Sequence, residues 1–149
     1  MADKVILLVE DNPDDEALTM RALKKSGVSN EIIVARDGAE ALDYLFGTGT
    51  YAGRDLSVMP MLTLLDLKLP RIGGLEVLER LRGDQRTRNL PIVILTSSKE
   101  DPDLLNAYQL GCNSYIRKPV DFMQFTESVR QLGLYWLVLN EPLPTRRRT

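Results

Sequence analysis

The sequence predicts a doubly wound α/β domain, with a five-stranded parallel sheet covered by helices on both faces. Two observations carry this prediction. Short runs that are apolar on both faces, as buried parallel strands are, alternate five times along the chain with segments of helical character. The chain has 149 residues, of which 44% are apolar, which is enough for one compact core and hardly enough for two.

Each strand is followed by a helix whose start or end is marked by particular residues. The strands are predicted at 4–9, 31–35, 61–65, 91–95 and 113–116. The first helix begins at Pro13, after Asn12 as its N-cap, and stops before Gly27. Asp37 and Glu40 have the spacing of a capping box, which predicts the start of the second helix.

The second half of the chain continues the alternation. A glycine-containing loop at 47–60 precedes the third strand, and the third helix is predicted near 74–82. Asp101 and Pro102 open the fourth helix. Asp121 caps a last helix that begins "DFMQFTESVRQL".

Composition excludes several kinds of chemistry. The chain has no histidine, which excludes Ser-His-Asp and Cys-His catalysis and the zinc motif H-E-x-x-H. Cys112 is the only cysteine, so neither an internal disulfide nor a cysteine-rich zinc site can form. No stretch approaches the roughly 18 apolar residues of a membrane span, and no cleavage site follows the first apolar run. We therefore expect a cytoplasmic protein without membrane contact.

Polar side chains gather where the predicted strands end. Five residues stand at these ends: Glu10, Asp11, Asp66, Thr96 and Lys118. Each alone has an ordinary explanation as a turn or surface residue, but ligands of doubly wound sheets bind at this carboxyl edge. Three crowded carboxylates raise one another's pKa unless a cation neutralises them. Oxygen ligands without histidine or clustered cysteine favour Mg²⁺, whose charge together with that of the lysine balances the three acids.

Four blocks of sequence stand at these strand ends: "VEDN" at 9–12, "LLDLKLPRIGG" at 64–74, "ILTSS" at 94–98 and "YIRKP" at 115–119. In this order they resemble the receiver domain of response regulators, over about residues 4 to 137. The resemblance implies a flavodoxin-like sheet of strand order 2-1-3-4-5. It also implies a signalling protein, not an enzyme with a separate substrate, that accepts a phosphoryl group from a histidine kinase onto an aspartate.

The resemblance implies a role for each polar residue. Asp66 is the phosphoryl acceptor. The protein ligands of Mg²⁺ are Glu10, Asp11, Asp66 and the backbone carbonyl of Lys68. Thr96 and Lys118 bind the phosphoryl oxygens, and Tyr115 turns inward when Thr96 moves. The bond between Lys118 and Pro119 is implied to be cis, so that the lysine side chain is aimed at the site.

Two segments exceed a minimal receiver domain: the loop at 47–60 and the C-terminal "LGLYWLVLNEPLPTRRRT". Both resemble the stand-alone regulators that are paired with bacterial phytochrome kinases, which implies a phytochrome as the partner kinase. We expect one receiver domain over residues 1–140 and a tail at 141–149.

The end of the last helix predicts a homodimer. Residues 132–139, "LGLYWLVL", contain no polar side chain, and a surface helix needs a polar face. The core can cover one side only, so Tyr135, Trp136 or Leu139 is expected to be exposed unless a second copy covers it. The alternative is that residues 138–145 fold back over the helix and leave a monomer.

Other function classes fit less well. A phosphorylation-independent binding module of the same fold would not need the five strand-end residues to be intact. A phosphatase of the haloacid dehalogenase kind needs a second aspartate two positions after Asp66, where Lys68 stands. A nucleotide-binding domain needs a phosphate-cradling loop where "VEDNPDDE" offers acids. With a net charge of -2, only the short basic run at 146–148 could attract nucleic acid, so a nucleic-acid partner is not expected.

Overall fold

The computed structural model describes residues 5–139. Strands β1 to β5 are, in chain order, Val5–Val9, Glu31–Ala35, Leu62–Leu65, Ile92–Thr96 and Ser114–Arg117. Helices α1 to α6 are Pro13–Lys25, Gly38–Phe46, Gly74–Arg82, Asp101–Gln109, Phe122–Gln131 and Tyr135–Val138. Within this part of the chain, no helix is long and apolar enough to cross a membrane. The expected tail at 141–149 and most of the alternative arm at 138–145 lie outside the described residues.

The five strands form one parallel sheet in the order β2-β1-β3-β4-β5, which confirms the predicted fold class. The register aligns Val9 with Ala35 on one side and with Leu65 on the other. Leu65 is in turn aligned with Ile94. The carboxyl ends of the central strands therefore lie side by side, and the residues that follow these strands meet at one edge of the sheet.

Alternate side chains of each strand enter two separate cores. Leu7 and Val9 belong to one core, and Ile6 and Leu8 belong to the other. The first core is completed from α2, α3 and α4: Leu42, Leu45, Val77, Leu78, Leu81 and Ala107. The second is completed from α1 and α5: Leu23, Phe125 and Val129. Burying each such side chain stabilises the fold by roughly 1.5–3 kcal/mol, and this fixes both helical layers against the sheet.

The helix caps largely follow the predicted chemistry. The Asn12 side chain accepts hydrogen bonds from two backbone amides in the first turn of α1. Asp37 caps α2 by accepting from the Glu40 amide at 2.7 Å. The Glu40 carboxylate, however, accepts from the amide of Arg36 at 3.0 Å, one residue before the cap. Only the N-cap half of the predicted capping box is therefore present.

The loop at 47–60 is held against α2 by Arg54. Its guanidinium group donates to the carbonyl oxygens of Tyr44 at 2.7 Å and Val58 at 2.8 Å. The same group lies 4.0 Å from the centre of the Tyr44 ring. Tyr51, in a short 3-10 turn, donates its hydroxyl proton to Glu40 at 3.1 Å. The predicted loop is thus a packed part of the domain.

The prediction of one continuous last helix is wrong. Helix α5 ends at Gln131, and Gly133 then adopts a left-handed backbone with φ of +74°, which breaks the helix at a residue that tolerates this conformation. The short helix α6 follows, and Leu139 after it is buried and forms an isolated bridge with Val28. Trp136, in contrast, is 65% exposed, as predicted.

Candidate functional site

The backbone of the sheet positions two buried carboxylates. Glu10 follows β1, and its amide donates to the carbonyl of Ala35 at 2.9 Å. Asp66 follows β3, and its amide donates to the carbonyl of Val9 at 3.1 Å. Both residues extend the hydrogen-bond ladder of the sheet by one step, and both are buried. Close approach of α3 behind Asp66 requires a glycine, because a Cβ on Gly74 would lie 2.1 Å from the Asp66 carbonyl oxygen.

Three carboxylates form a candidate metal centre. Glu10, Asp11 and Asp66 each offer one oxygen, and these three oxygens lie within 4.8 Å of one another. Asp11 is exposed to solvent, so the cluster opens on one side. The buried Oε1 of Glu10 pairs with the Nζ of Lys118, 2.5 Å away. A donor set of hard carboxylate oxygens, one of them open to solvent, suits a divalent cation such as Mg²⁺.

The ammonium group of Lys118 lies inside this acidic cluster. Its Nζ is 2.5 Å from Glu10, 2.8 Å from Asp66 and 3.0 Å from Asp15. Only 8% of the lysine side chain is exposed. The backbone is fixed as well, because the Lys118 amide donates to the carbonyl of Thr96 at 2.8 Å. The bond from Lys118 to Pro119 is cis, as predicted.

Burial and charge shift the acid–base behaviour of the site. Burial lowers the pKa of Lys118, but hydrogen bonds to Asp66, Glu10 and Asp15 outweigh this and raise it above its ordinary value. The ammonium group is therefore charged at neutral pH. Burial also raises the pKa of Glu10 to about 7, against the opposing hydrogen bond from Lys118. The negative charge of Asp66 adds to this rise.

Thr96 ends β4 and is fully buried. Among the described contacts, its hydroxyl oxygen accepts from the Ser98 amide at 3.1 Å and does not contact Asp66. Ser98 in turn donates its hydroxyl proton to Asp103 at 2.6 Å. The Thr96 side chain is therefore held by its own loop, next to the site.

Lys68 and Tyr115 are the two remaining residues with a predicted role at the site. The Lys68 amide donates to Asp66 at 3.3 Å, and the Lys68 side chain is exposed. Metal ligation by the Lys68 carbonyl stays a prediction. Tyr115 lies on β5 with its ring 6.4 Å from the ring of Tyr108. Its hydroxyl group is buried, and burial raises its pKa.

Sequence reasoning did not single out Asp15. Acidic residues are common in the first turn of a helix because their negative charge interacts favourably with the positive end of the helix dipole. The first turn of α1 contains three of them: Asp14, Asp15 and Glu16. The available signal was position: α1 begins directly after the carboxyl end of β1, so its first turn faces the same edge as Asp11. Which of the three acids turns inward cannot be read from their order in the chain.

Comparison with known proteins decides the family. The family model described as the response regulator receiver domain matches residues 6–130. The chain belongs to this family. Receiver domains are signalling modules of two-component systems that histidine kinases phosphorylate, and they bind Mg²⁺ at an acidic pocket. The resemblance inferred from the four sequence blocks is thus confirmed.

Several relatives of this receiver domain are known. Probable methanogenesis regulatory protein FilR2 of Methanothrix harundinacea is 43% identical over 136 residues, which are 91% of this chain and 85% of FilR2. The solved structure of the bacteriophytochrome response regulator AtBRR is 51% identical, with a TM-score of 0.82, and covers 93% of this chain and 98% of AtBRR.

Two further solved structures resemble the receiver domain over 95% of this chain and 99% of their own chains, each with a TM-score of 0.74. One is the Mn²⁺-bound form of response regulator Rcp1, at 34% identity. The other is the phosphorylated cyanobacterial phytochrome response regulator RcpA, at 38% identity. AtBRR and RcpA, the two that are named for phytochromes, are thus similar to this chain over 93% and 95% of its length.

Proposed function

We propose that this receiver domain accepts a phosphoryl group from a histidine kinase onto Asp66, in a Mg²⁺-dependent reaction, and then changes its partner-binding surface. One observation carries the proposal. Asp66 is 5% exposed, and its carboxylate lies 2.8 Å from a buried ammonium group and within 4.8 Å of oxygens of two further acids. A nucleophile, a fixed positive charge and oxygen ligands for a cation are thus together at the end of β3.

The reaction follows from these contacts. A carboxylate oxygen of Asp66 attacks the phosphorus atom, the bond from phosphorus to the imidazole nitrogen of the kinase breaks, and the imidazole keeps the electron pair. Lys118 stabilises the negative charge on the transferred oxygens. Glu10, Asp11, Asp66 and the carbonyl of Lys68 would hold Mg²⁺, which neutralises phosphoryl charge when bound. The chain supplies position and electrostatics, and the partner supplies the leaving group.

Phosphorylation changes the partner-binding surface by moving the loop after β4. A phosphoryl group on Asp66 replaces one negative charge by about two and offers several strong acceptor oxygens. The Thr96 hydroxyl then exchanges its contact with the Ser98 amide for one with the phosphoryl group. Tyr115 responds to the new position of Thr96, and the surface formed by α4, β5 and α5 changes.

Labelling of one variant tests the proposal. With a small phosphodonor such as radiolabelled acetyl phosphate, the unaltered chain is expected to take up acid-labile label that requires Mg²⁺. Asp66→Asn is expected to take up none, whereas Asp55→Asn, which removes an exposed aspartate of the 47–60 loop, serves as the control. Undiminished labelling of Asp66→Asn would contradict the proposal, and a chain that binds its targets without any labelling would be a phosphorylation-independent module.

We further propose a bacterial phytochrome as the partner kinase. The similarity to AtBRR and RcpA, both named for phytochromes, supports this. FilR2, which is also similar to this chain, is named as a probable regulator of methanogenesis. Purified histidine kinases, phytochromes among them, should be loaded with phosphate and compared by transfer rate to this chain. The proposal requires a phytochrome to transfer fastest.

The proposal also covers organisation and assembly. Residues 1–140 form one receiver domain with a tail at 141–149, in the cytoplasm and without a membrane or nucleic-acid partner. A homodimer is supported by neighbouring exposed apolar residues on α6, where Trp136 is 65% and Leu137 46% exposed. In a dimer, each copy would cover the patch of the other, and the two surfaces formed by α4, β5 and α5 would belong to one assembly.

A further inference from the structure

The ammonium group of Lys118 has one more acidic partner than the receiver chemistry above uses. A lysine ammonium has three N–H donors, and three carboxylates lie within reach: Glu10, Asp66 and Asp15. Glu10 and Asp66 belong to the candidate metal centre, but Asp15 does not. Asp15 is also the most exposed of the three, at 36% of its side chain against 1% and 7%.

The position of Asp15 is fixed by secondary structure. Its backbone amide donates to the capping side chain of Asn12 at 3.0 Å, and α1 is anchored in the second core by Leu23. Asp15 and Lys118 line a cleft of about 350 Å³ together with Leu18 and Ser97. The carboxylate is therefore presented from a capped helix directly beside Lys118, from which it is 103 residues away along the chain.

The other two partners have a second role during phosphoryl transfer. Glu10 and Asp66 would hold the cation, and one Asp66 oxygen becomes bonded to phosphorus. Their contacts with Lys118 would then weaken when its charge is needed on the phosphoryl oxygens. A long, flexible lysine side chain with one end released has many rotamers of similar energy.

We propose that Asp15 is a positioning residue, which holds the Lys118 ammonium group at the acceptor while Glu10 and Asp66 engage the cation and the phosphoryl group. This inference rests on the proposed function. Among the described contacts, the Asp15 carboxylate pairs with Lys118 and with none of Glu10, Asp11 and Asp66. It acts through Lys118, by keeping one N–H donor bound so that the other two are directed into the site.

A matched pair of variants tests the inference. Asp15→Asn and Asp14→Asn each remove one negative charge from the same turn, and both backbone amides donate to Asn12. Asp14 is exposed and makes no ion pair among the described contacts, so it controls for the general effect of charge. The initial rate of labelling by acetyl phosphate is measured at saturating Mg²⁺ over a range of donor concentrations.

For Asp15→Asn we expect the maximal rate to fall about tenfold, the kinetic equivalent of one charge-assisted hydrogen bond, with the half-saturating donor concentration unchanged. Asp14→Asn should stay within about twofold of the unaltered chain. Equal rates for the two variants would overturn the inference alone. Failure of the unaltered chain to label would overturn the proposed function and this inference with it.

A second measurement needs neither Mg²⁺ nor donor. Exchange of the Lys118 ammonium protons with water is followed by ¹⁵N NMR, with the signal assigned by its loss in Lys118→Gln. Loss of the Asp15 contact should speed this exchange about fivefold in Asp15→Asn, and Asp14→Asn should leave it unchanged. A role of Asp15 confined to the general charge of the turn would change both variants alike and contradict the inference.

Discussion

Thr63 is a buried polar residue that the fold leaves unsatisfied. It lies in the middle of β3, is 1% exposed, and its hydroxyl has no hydrogen-bond partner. Thr87 is equally buried, but it donates its hydroxyl proton to the carbonyl of Leu81 at 2.6 Å. Comparing the two threonines therefore shows how much a hydrogen bond offsets the free-energy cost of burying a hydroxyl group.

Thr63→Val is expected to raise the free energy of unfolding by about 1 kcal/mol, because a methyl group replaces a hydroxyl that is desolvated without compensation. Thr87→Val has the same change of shape and should lower it by about 1–2 kcal/mol, because the buried 2.6 Å hydrogen bond to the Leu81 carbonyl is lost. Urea unfolding followed by circular dichroism measures both. Similar effects for the two variants would contradict the argument.

The single thiol is expected to be inert in the folded protein. Cys112 is buried, and burial raises its pKa to about 11. At pH 8 this lowers the thiolate fraction about a hundredfold relative to an ordinary thiol, and burial blocks access in addition. A thiol reagent such as DTNB should therefore react more than about a hundredfold faster in urea than in buffer. Comparable rates would contradict this.

The same pKa predicts a loss of stability at high pH. The folded state keeps the Cys112 thiol neutral, whereas the unfolded chain ionises it at its ordinary pKa. The contribution of Cys112 is therefore fully present below the unfolded pKa and is lost as the pH rises toward about 11. The fall of unfolding free energy between about pH 9 and 11 should be smaller in Cys112→Ala than in the unaltered chain.

At the scale of elements, Arg82 joins three segments near the amino ends of β4 and β5. It closes α3, and its guanidinium group donates to three backbone carbonyls at 2.8 Å and to one side-chain oxygen at 2.9 Å. These acceptors lie in the turns before β4 and β5: Gly111, Arg88, Leu90 and Asn113. The single planar guanidinium group thus holds α3 against both turns.

Arg82→Lys is expected to lower the free energy of unfolding by about 2 kcal/mol, because one ammonium group cannot reach four acceptors in this arrangement. Arg80 is the matched control. It stands two residues earlier on α3 and pairs only with exposed Glu76, so Arg80→Lys should change stability by less than about 0.5 kcal/mol. Thermal and urea unfolding provide the measurement. If the Arg82→Lys protein were as stable as Arg80→Lys, the four guanidinium hydrogen bonds would not contribute to the stability of the fold.

At the scale of the whole molecule, the proposed homodimer depends on the α6 patch. The structure changes the choice of variant, because Leu139 is 6% exposed and its replacement by aspartate would disturb the core. Trp136→Asp should convert a dimer into a monomer, whereas Leu18→Asp, at a 47% exposed leucine on α1, should not. Sedimentation at high micromolar concentration, with and without beryllofluoride as a phosphoryl mimic, measures the state.

Two outcomes decide between the assemblies. A dimer that is split by Trp136→Asp alone would support the α6 interface. A monomer for the unaltered chain under both conditions would rule out the dimer and favour the alternative in which the chain after α6 covers its own patch. Circular dichroism of each variant checks that the fold is retained.

The sequence by itself determined the strands, most helix boundaries and the meeting of Glu10, Asp11, Asp66 and Lys118. These features follow from short-range causes: apolar runs, caps and the rule that parallel strands end at one edge of the sheet. The strand order required the family resemblance, because alternation of strands and helices alone is compatible with several orders.

Only the tertiary structure decided several other contacts across the fold. The Asp15 contact with Lys118, the four acceptors of Arg82 and the burial of Leu139 against Val28 all join residues that different elements bring together. Periodicity states which face of an element is apolar, but not which rotamer each polar side chain adopts or what lies opposite it. Those choices depend on how whole helices pack against the sheet, since a hydrogen bond requires two atoms to lie within about 3 Å of each other.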